Sequence, residues 1–268
     1  MSHSGTPKSA APLRHVRATM NAPAFSAIPD RLGAELIEAS TMLRRLIPIE
    51  PEAIDSAPDD HFGALRHELS AHYTALHPDG GNAGRSRLEA EALAAFEVGP
   101  DGLCTSSPRG FRERLGVLNR TLTDGEGGWR SGFVKLSDDR AGNRIYFPPV
   151  SAVPGQLEHL RSFVAGGGAS PPLFTAVAAA LLLNCHPFTD GNGRTARLLF
   201  NHLLRRGGMP ANVYLPLHEI GRRSHGGYEI ALRIAELRGD WEPFLRWLLA
   251  AIRCCRDLAP TKGDIHAD

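Results

Sequence analysis

The sequence predicts a mainly α-helical domain: a central pair of buried helices joined by a polar loop, with a small β-hairpin beside them. Three observations carry that prediction. Residues 171–185 (Pro-Pro-Leu-Phe-Thr-Ala-Val-Ala-Ala-Ala-Leu-Leu-Leu-Asn-Cys) are apolar on nearly every face, as a helix buried all round must be. Residues 198–206 repeat apolar side chains at helical spacing, finish on Arg205 and Arg206 and run into Gly207-Gly208. Basic residues suit a helix C-terminus, and glycine ends it. Two short β-prone runs, 133–136 and 144–147, flank a turn rich in Asp, Gly and Asn, which is a hairpin signal.

The elements follow in order. Residues 1–30 carry Pro7, Pro12, Pro23 and Pro29 among many Ser and Ala, without periodicity, and are expected to be a disordered or loosely packed tail. Residues 31–84 read as an N-terminal helical extension. Its first helix runs from Leu32 to Leu46, with Leu36, Ile37 and Leu43 on one face, and the Pro48–Pro58 stretch breaks it. Its second runs from about Asp59 to Leu76, with Phe62, Leu65, Leu69 and Tyr73, and stops at His77-Pro78-Asp79-Gly80-Gly81.

Residues 85–256 read as one domain, and 257–268 as a flexible tail. An Ala/Glu-rich helix spans 85–98. Leu115, Val117 and Leu118 anchor a helix with a basic patch, and Asp124-Gly125-Glu126-Gly127-Gly128 turns the chain. The hairpin occupies 132–147, and Pro148-Pro149 finish its second strand. A helix from Val153 to Ala165 buries Leu157, Leu160, Phe163 and Val164. Ser170 can cap the first central helix, with Pro171 in its first turn. After the second, Met209–Pro216 is an extended link and Leu217–Arg223 a short helix. Gly227–Arg238 is an amphipathic helix stopped by Gly239, and Trp241–Ile252 a closing apolar one.

Composition limits the function classes. The chain has 268 residues, 42% hydrophobic and 22% charged, with a formal net charge of +1. That balance gives no reason to expect nucleic acid or an acidic membrane as partner. No stretch is long and apolar enough to span a bilayer, and the N-terminus lacks the apolar core of a secretory signal. The four cysteines (Cys104, Cys185, Cys254, Cys255) contain no CxxC pair, so neither a disulfide scaffold nor a structural zinc site is expected. A reducing compartment, the cytoplasm, fits this usage. Delivery into a host cell is compatible with it.

The chemistry lies in the loop between the central helices: His186-Pro187-Phe188-Thr189-Asp190-Gly191-Asn192-Gly193-Arg194-Thr195-Ala196-Arg197. Gly191 and Gly193 allow positive φ and close approach of the backbone to a ligand. Their amides, with that of Asn192, would lie at a helix N-terminus, which attracts phosphate. Arg194 and Arg197 stand three apart and so share one helix face. Asp190 is a carboxylate beside that nest, suited to a divalent cation. His186 offers an imidazole, whose ordinary pKa suits a general base. Phe188 is the apolar peg that pins the loop to the core.

The pattern His-x-Phe-x-Asp-Gly-Asn-Gly-Arg-x-x-Arg resembles that of the Fic family of nucleotidyl transferases, and every fixed position is met. The resemblance implies a Fic-type helical domain and a protein adenylyltransferase, which moves AMP from ATP to a hydroxyl side chain of a target protein. It implies His186 as base, Asp190 as ligand of Mg²⁺ (or Mn²⁺), Gly191, Asn192 and Gly193 as phosphate cradle, and Arg194 and Arg197 as phosphate clamps. Residues 132–147 resemble the family's flap, which pins the target by strand addition through Phe133, Val134, Lys135, Ile145 and Tyr146. Tyr228 matches the second residue of a Tyr-Tyr pair near the adenosine, whereas Ala235 stands where an Asn is common. Arg85-Ser86-Arg87-Leu88-Glu89-Ala90 resembles the inhibitory-helix pattern Ser/Thr-x-x-x-Glu-Gly/Asn, departing from it at Arg85 and Ala90. The resemblance implies that Glu89 pairs with Arg197 and blocks the γ-phosphate. Relatives use other donors or remove AMP, and an inactive nucleotide-binding module is the alternative of another class. A protein target is the implied partner, and the pattern leaves room for a homodimer.

Overall fold

The computed structural model describes residues 14–16, 20, 22–23, 28–57, 61–64, 85–97, 107–135, 144–168 and 170–259. In chain order these give β1 (Arg14–Val16), α1 (Asp30–Leu43), α2 (Arg85–Glu97), α3 (Pro108–Leu122), β2 (Arg144–Tyr146) and α4 (Val153–Gly166). Then follow α5 (Pro171–Cys185), α6 (Asn192–Arg206), α7 (Leu217–Arg223), α8 (Gly227–Arg238) and α9 (Glu242–Leu258). Short 3₁₀ turns occupy Pro51–Ser56 and Val150–Ala152.

Helix α5 lies at the centre. Thirteen of its residues are buried, so it has no polar face, and burial on all sides is what keeps it helical. Ala176, Val177, Ala178, Ala180 and Leu182 are fully enclosed. Burying a leucine of this kind stabilises by about 1.5–3 kcal/mol. The alanines let neighbours approach closely: α6 packs along α5, and α4, α1 and α9 cover its other sides. Against α6 lie α3 and α2, and α2 also touches α3 and α7. Helix α2 therefore lies between α6, α3 and α7.

Helix ends follow local chemistry in most places. Ser107 caps α3, its hydroxyl accepting from the Gly110 amide at 3.0 Å. Gly239 ends α8 with φ of 70°. Ser170 is a correction: it holds the N-cap position of α5, but its hydroxyl makes no capping bond and the Phe174 amide bonds to its carbonyl at 2.9 Å instead. Val117 is another. It stays half-exposed while Phe111, Leu115 and Leu118 form the buried stripe of α3. Helix α9 runs six residues past Ile252, into the stretch expected as a tail, because no glycine or proline stops it before Pro260.

The N-terminal stretch expected to be loose contributes order at two points. Arg14–Val16 pairs in parallel with Arg144–Tyr146, and the Met20 amide donates to the Asn184 side chain at 3.1 Å. The expected second helix of the extension is described only as a single turn at 61–64; the rest of it lies outside the described residues. The same holds for 136–143, the turn of the expected hairpin. Among the described residues that hairpin is one antiparallel bridge, Lys135 to Tyr146, extended by the Phe147 amide donating to Val134 O at 3.0 Å.

Candidate active site

His186 closes α5 in the left-handed region, with φ 48° and ψ 58°. Histidine tolerates that region better than most side chains, but it costs energy that the surroundings must supply. The ring stacks on Phe147, with centroids 3.7 Å apart and planes 19° from parallel.

The loop after it is pinned from three directions. Phe188 is fully buried, with its ring 4.7 Å from that of Trp129. The main chain is bridged to the preceding loop: the Arg130 amide donates to Pro187 O at 3.0 Å, and the Thr189 amide to Gly128 O at 2.8 Å. The Asn192 side chain brackets Phe188, accepting from its amide at 3.0 Å and donating to its carbonyl at 2.9 Å. Asn119 of α3 donates to Asp190 O at 2.8 Å and to the Thr195 hydroxyl at 3.2 Å.

The two glycines do different work. Gly191 has φ of 77°, and a Cβ there would meet Thr123 Cγ2 at 2.6 Å and Asn119 Nδ2 at 2.7 Å. It is glycine because α3 comes this close. Gly193, expected to share the positive φ, is instead an ordinary helical residue of α6, and its added Cβ would meet only Arg197 Nη1, at 3.3 Å. The amides of Asn192, Gly193 and Arg194 form the first turn of α6, where no intrahelical acceptor exists.

Both arginines are engaged by the chain itself. Arg194 pairs with Asp190 at 2.6 Å and donates to Leu122 O at 2.6 Å. Arg197 meets Glu89: Nε donates to both carboxylate oxygens, at 3.2 and 3.1 Å, and Nη2 to Oε1 at 2.5 Å. The Glu89 side chain is 1% exposed and that of Arg197 17%. Tyr214 adds a third partner, its hydroxyl donating to Glu89 Oε2 at 2.9 Å. Burial works against the charge of Arg197, yet the adjacent Glu89 carboxylate wins and its pKa lies above the ordinary value. Burial, reinforced by Glu89, pushes the Tyr214 hydroxyl well up, so it stays a donor.

Helix α2 is clasped at a second point. Ser86 bonds to the Glu219 carboxylate through its amide, at 3.2 Å, and through its hydroxyl. Both groups are buried. Glu219 on α7 thus takes up donors of the first turn of α2, one residue after Arg85, where the inhibitory pattern has Ser or Thr.

Tyr228 is half-buried, its ring 5.5 Å from Trp247 and 6.5 Å from Phe244, and it contributes to the field that raises Arg197. Phe133 is 81% exposed beside the Lys135–Tyr146 bridge. Among the described residues no three His, Cys, Asp or Glu side chains form a metal-binding group. Asp190, 70% exposed, is the carboxylate that the loop offers.

Sequence reasoning missed Tyr214, Glu219, Asn119 and Arg130. Tyr214 lies 125 residues from Glu89 and Glu219 133 from Ser86, so no spacing could join them. Asn119 carried one usable signal: a polar residue between Leu118 and the basic patch, on the side that α3 turns inward.

A left-handed histidine at the end of one buried helix is followed by a glycine turn and two arginines on the next. Residues 112–204 match the Fic/DOC family model. A Fic family protein from Desulfovibrio desulfuricans superimposes with a TM-score of 0.58 at 20% identity, over 88% of this chain and 75% of that one, which shows a shared fold. "Protein adenylyltransferase Fic" of Aedes aegypti is 27% identical over 74% of this chain and 43% of its own length. "Protein adenylyltransferase fic-1" of Caenorhabditis elegans is 45% identical over 27% of this chain and 13% of its own. The chain thus spans less than half the length of these curated relatives.

Proposed function

We propose that the chain transfers AMP from ATP to a Ser, Thr or Tyr hydroxyl of a target protein, and that Glu89 restrains it. The convergence of His186, the first-turn amides of α6, Arg194 and Arg197 on one loop carries this reading. The adenylyltransferase names of two relatives support it.

His186 takes the proton of the target hydroxyl as its oxygen attacks the α-phosphorus. The bond from that phosphorus to the β-phosphate oxygen breaks, and pyrophosphate leaves. The amides of Asn192, Gly193 and Arg194 and the two guanidinium groups receive the negative charge of the phosphates. A magnesium ion would be held by Asp190, since one protein carboxylate plus phosphate oxygens and water is a usual magnesium set. It would supply charge neutralisation at the phosphates. The segments around Phe133, Val134, Lys135, Ile145 and Tyr146 hold the target over His186 by strand addition. Tyr228 lies toward the adenosine.

The restraint follows from electrostatics. A γ-phosphate needs Arg197, and Glu89 already occupies it with three hydrogen bonds in a buried setting. Incubation with α-labelled ATP, with GTP, CTP and UTP as controls, tests the reading. The Glu89→Gly chain should label itself or a lysate protein from ATP alone, and adding His186→Ala should abolish that labelling. If parent and Glu89→Gly chains both fail to label anything, the AMP-transfer reading is wrong.

A further inference from the structure

Arg130 is a buried cation, 4% exposed, whose side-chain hydrogen bonds among the described residues all go to main-chain carbonyls. Nε donates to His186 O at 2.7 Å. Nη2 donates to Pro148 O at 2.5 Å and to Cys185 O at 3.3 Å, and Nη1 to Gly132 O at 3.2 Å. No carboxylate pairs with it among the described residues. Burial holds its pKa below that of a free guanidinium.

An enclosed charge without a counter-ion is costly, so the fold must return something for it. The four carbonyls show what. Cys185 and His186 end α5, where unpaired carbonyls carry the negative end of the helix dipole, and the guanidinium caps them. His186 is the residue held at φ 48°, so the bond to its carbonyl fixes the peptide that follows the strained angle. Gly132 and Pro148 are the two roots of the segment expected as the flap. Phe147, next to Pro148, stacks on the His186 ring. One planar fork therefore joins the backbone of the histidine to both roots of the segment that packs on its ring. A lysine ammonium has neither the span nor the fixed geometry to do this.

We infer that Arg130 is a positioning residue for His186, holding its main chain in the left-handed conformation while Phe147 holds the ring. This rests on His186 being the base proposed above. A base displaced by about 1 Å loses about 100-fold in rate without any change in nucleotide contacts.

The test uses the full chain carrying Glu89→Gly, alone and with Arg130→Met or Arg130→Lys. Three quantities are measured: the rate of labelling from α-labelled ATP, ATP affinity by calorimetry, and the His186 imidazole ¹H–¹⁵N correlations. Arg130→Met should lose about 100-fold in rate while ATP affinity stays within about threefold. The His186 ring signals should shift as the ring leaves its stacked position on Phe147, and added ethylguanidinium should restore part of the rate. Arg130→Lys should give the same pattern in milder form, and it decides the matter if Arg130→Met does not fold. Unchanged His186 signals in a folded variant, or a rate that falls only in step with ATP affinity, would overturn the inference. If the Glu89→Gly parent does not label, the AMP-transfer reading fails, and the imidazole spectra alone decide the role of Arg130.

Discussion

Glu89 and Arg197, 108 residues apart in the chain, are joined by three hydrogen bonds of 2.5–3.2 Å, with the carboxylate almost wholly enclosed. Removing one partner of such a pair leaves the other buried and uncompensated, which costs about 3 kcal/mol. Glu89→Gly should therefore melt earlier than the parent while labelling faster, by about 5- to 150-fold if the pair is the restraint. ATP should raise the melting temperature of the variant more than that of the parent, because its γ-phosphate replaces the lost anion. A thermal-shift series with and without ATP, run beside the labelling assay, checks both directions. Equal labelling would refute the restraint.

Tyr214 makes a narrower prediction. Its hydroxyl is one of the donors that fix the Glu89 carboxylate, and Tyr214→Phe removes that bond without changing the packing of the ring. A hydrogen bond to a charged group contributes about 1.5 kcal/mol or more, so the restraint should weaken by about tenfold or more. Labelling by Tyr214→Phe should lie between that of the parent and Glu89→Gly. In the Glu89→Gly background the same substitution should have no further effect, which a double-mutant cycle reads directly.

The fold was legible wherever a local signal coincided with an element. Leu217–Arg223 and Gly227–Arg238 have the bounds that periodicity and glycine predict, and α5 is buried all round as its uniform apolar run requires. The loop residues of the site were legible because they are contiguous. What escaped was long-range. The Arg85 and Ala90 departures left the inhibitory pattern incomplete, and the clasp that holds α2 comes from Ser86–Glu219 and Tyr214–Glu89. Nothing in the spacing of those residues reports a contact across more than a hundred positions. Gly191 and Gly193 look equivalent in sequence, and only the approach of α3 separates them.

His218 gives the clamp region a pH dependence. It neighbours Arg197, Arg85, Glu89 and Glu219, and burial first, then the field of Arg197, lowers its pKa below the ordinary 6.5. The folded state therefore disfavours the imidazolium. Its contribution to stability is intact above pH 6.5 and is lost as pH falls through the lowered value. The stability of the parent should fall on acidification below pH 6.5, and His218→Gln should flatten that part of the curve. Urea midpoints measured at several pH values between 5 and 8 test the sign. A steeper acid limb in the variant would contradict it.

The two loop glycines separate stability from binding. Gly191→Ala puts a side chain at φ 77°, which costs about 1–2 kcal/mol. Its Cβ would also run into Thr123 and Asn119 at 2.6–2.7 Å, and overpacking of this kind costs a further ~1–3 kcal/mol. The Asn119 bond to Asp190 O sits in the same contact, so the loop itself should shift. Gly193→Ala is different. The residue is helical, alanine suits a helix better than glycine by about 1 kcal/mol, and the only atom an added Cβ meets is Arg197 Nη1 at 3.3 Å, on a guanidinium that Glu89→Gly releases. That variant should be as stable as the parent or slightly more so. It should nevertheless bind ATP more weakly, because a methyl group now stands beside the amide that approaches the phosphate. Melting temperature and calorimetric ATP affinity, measured on both variants in the Glu89→Gly background, distinguish the two roles. Gly191→Ala should lose both, and Gly193→Ala only the second. A Gly193→Ala chain that binds ATP as tightly as its parent would remove the α6 N-terminus from the phosphate site.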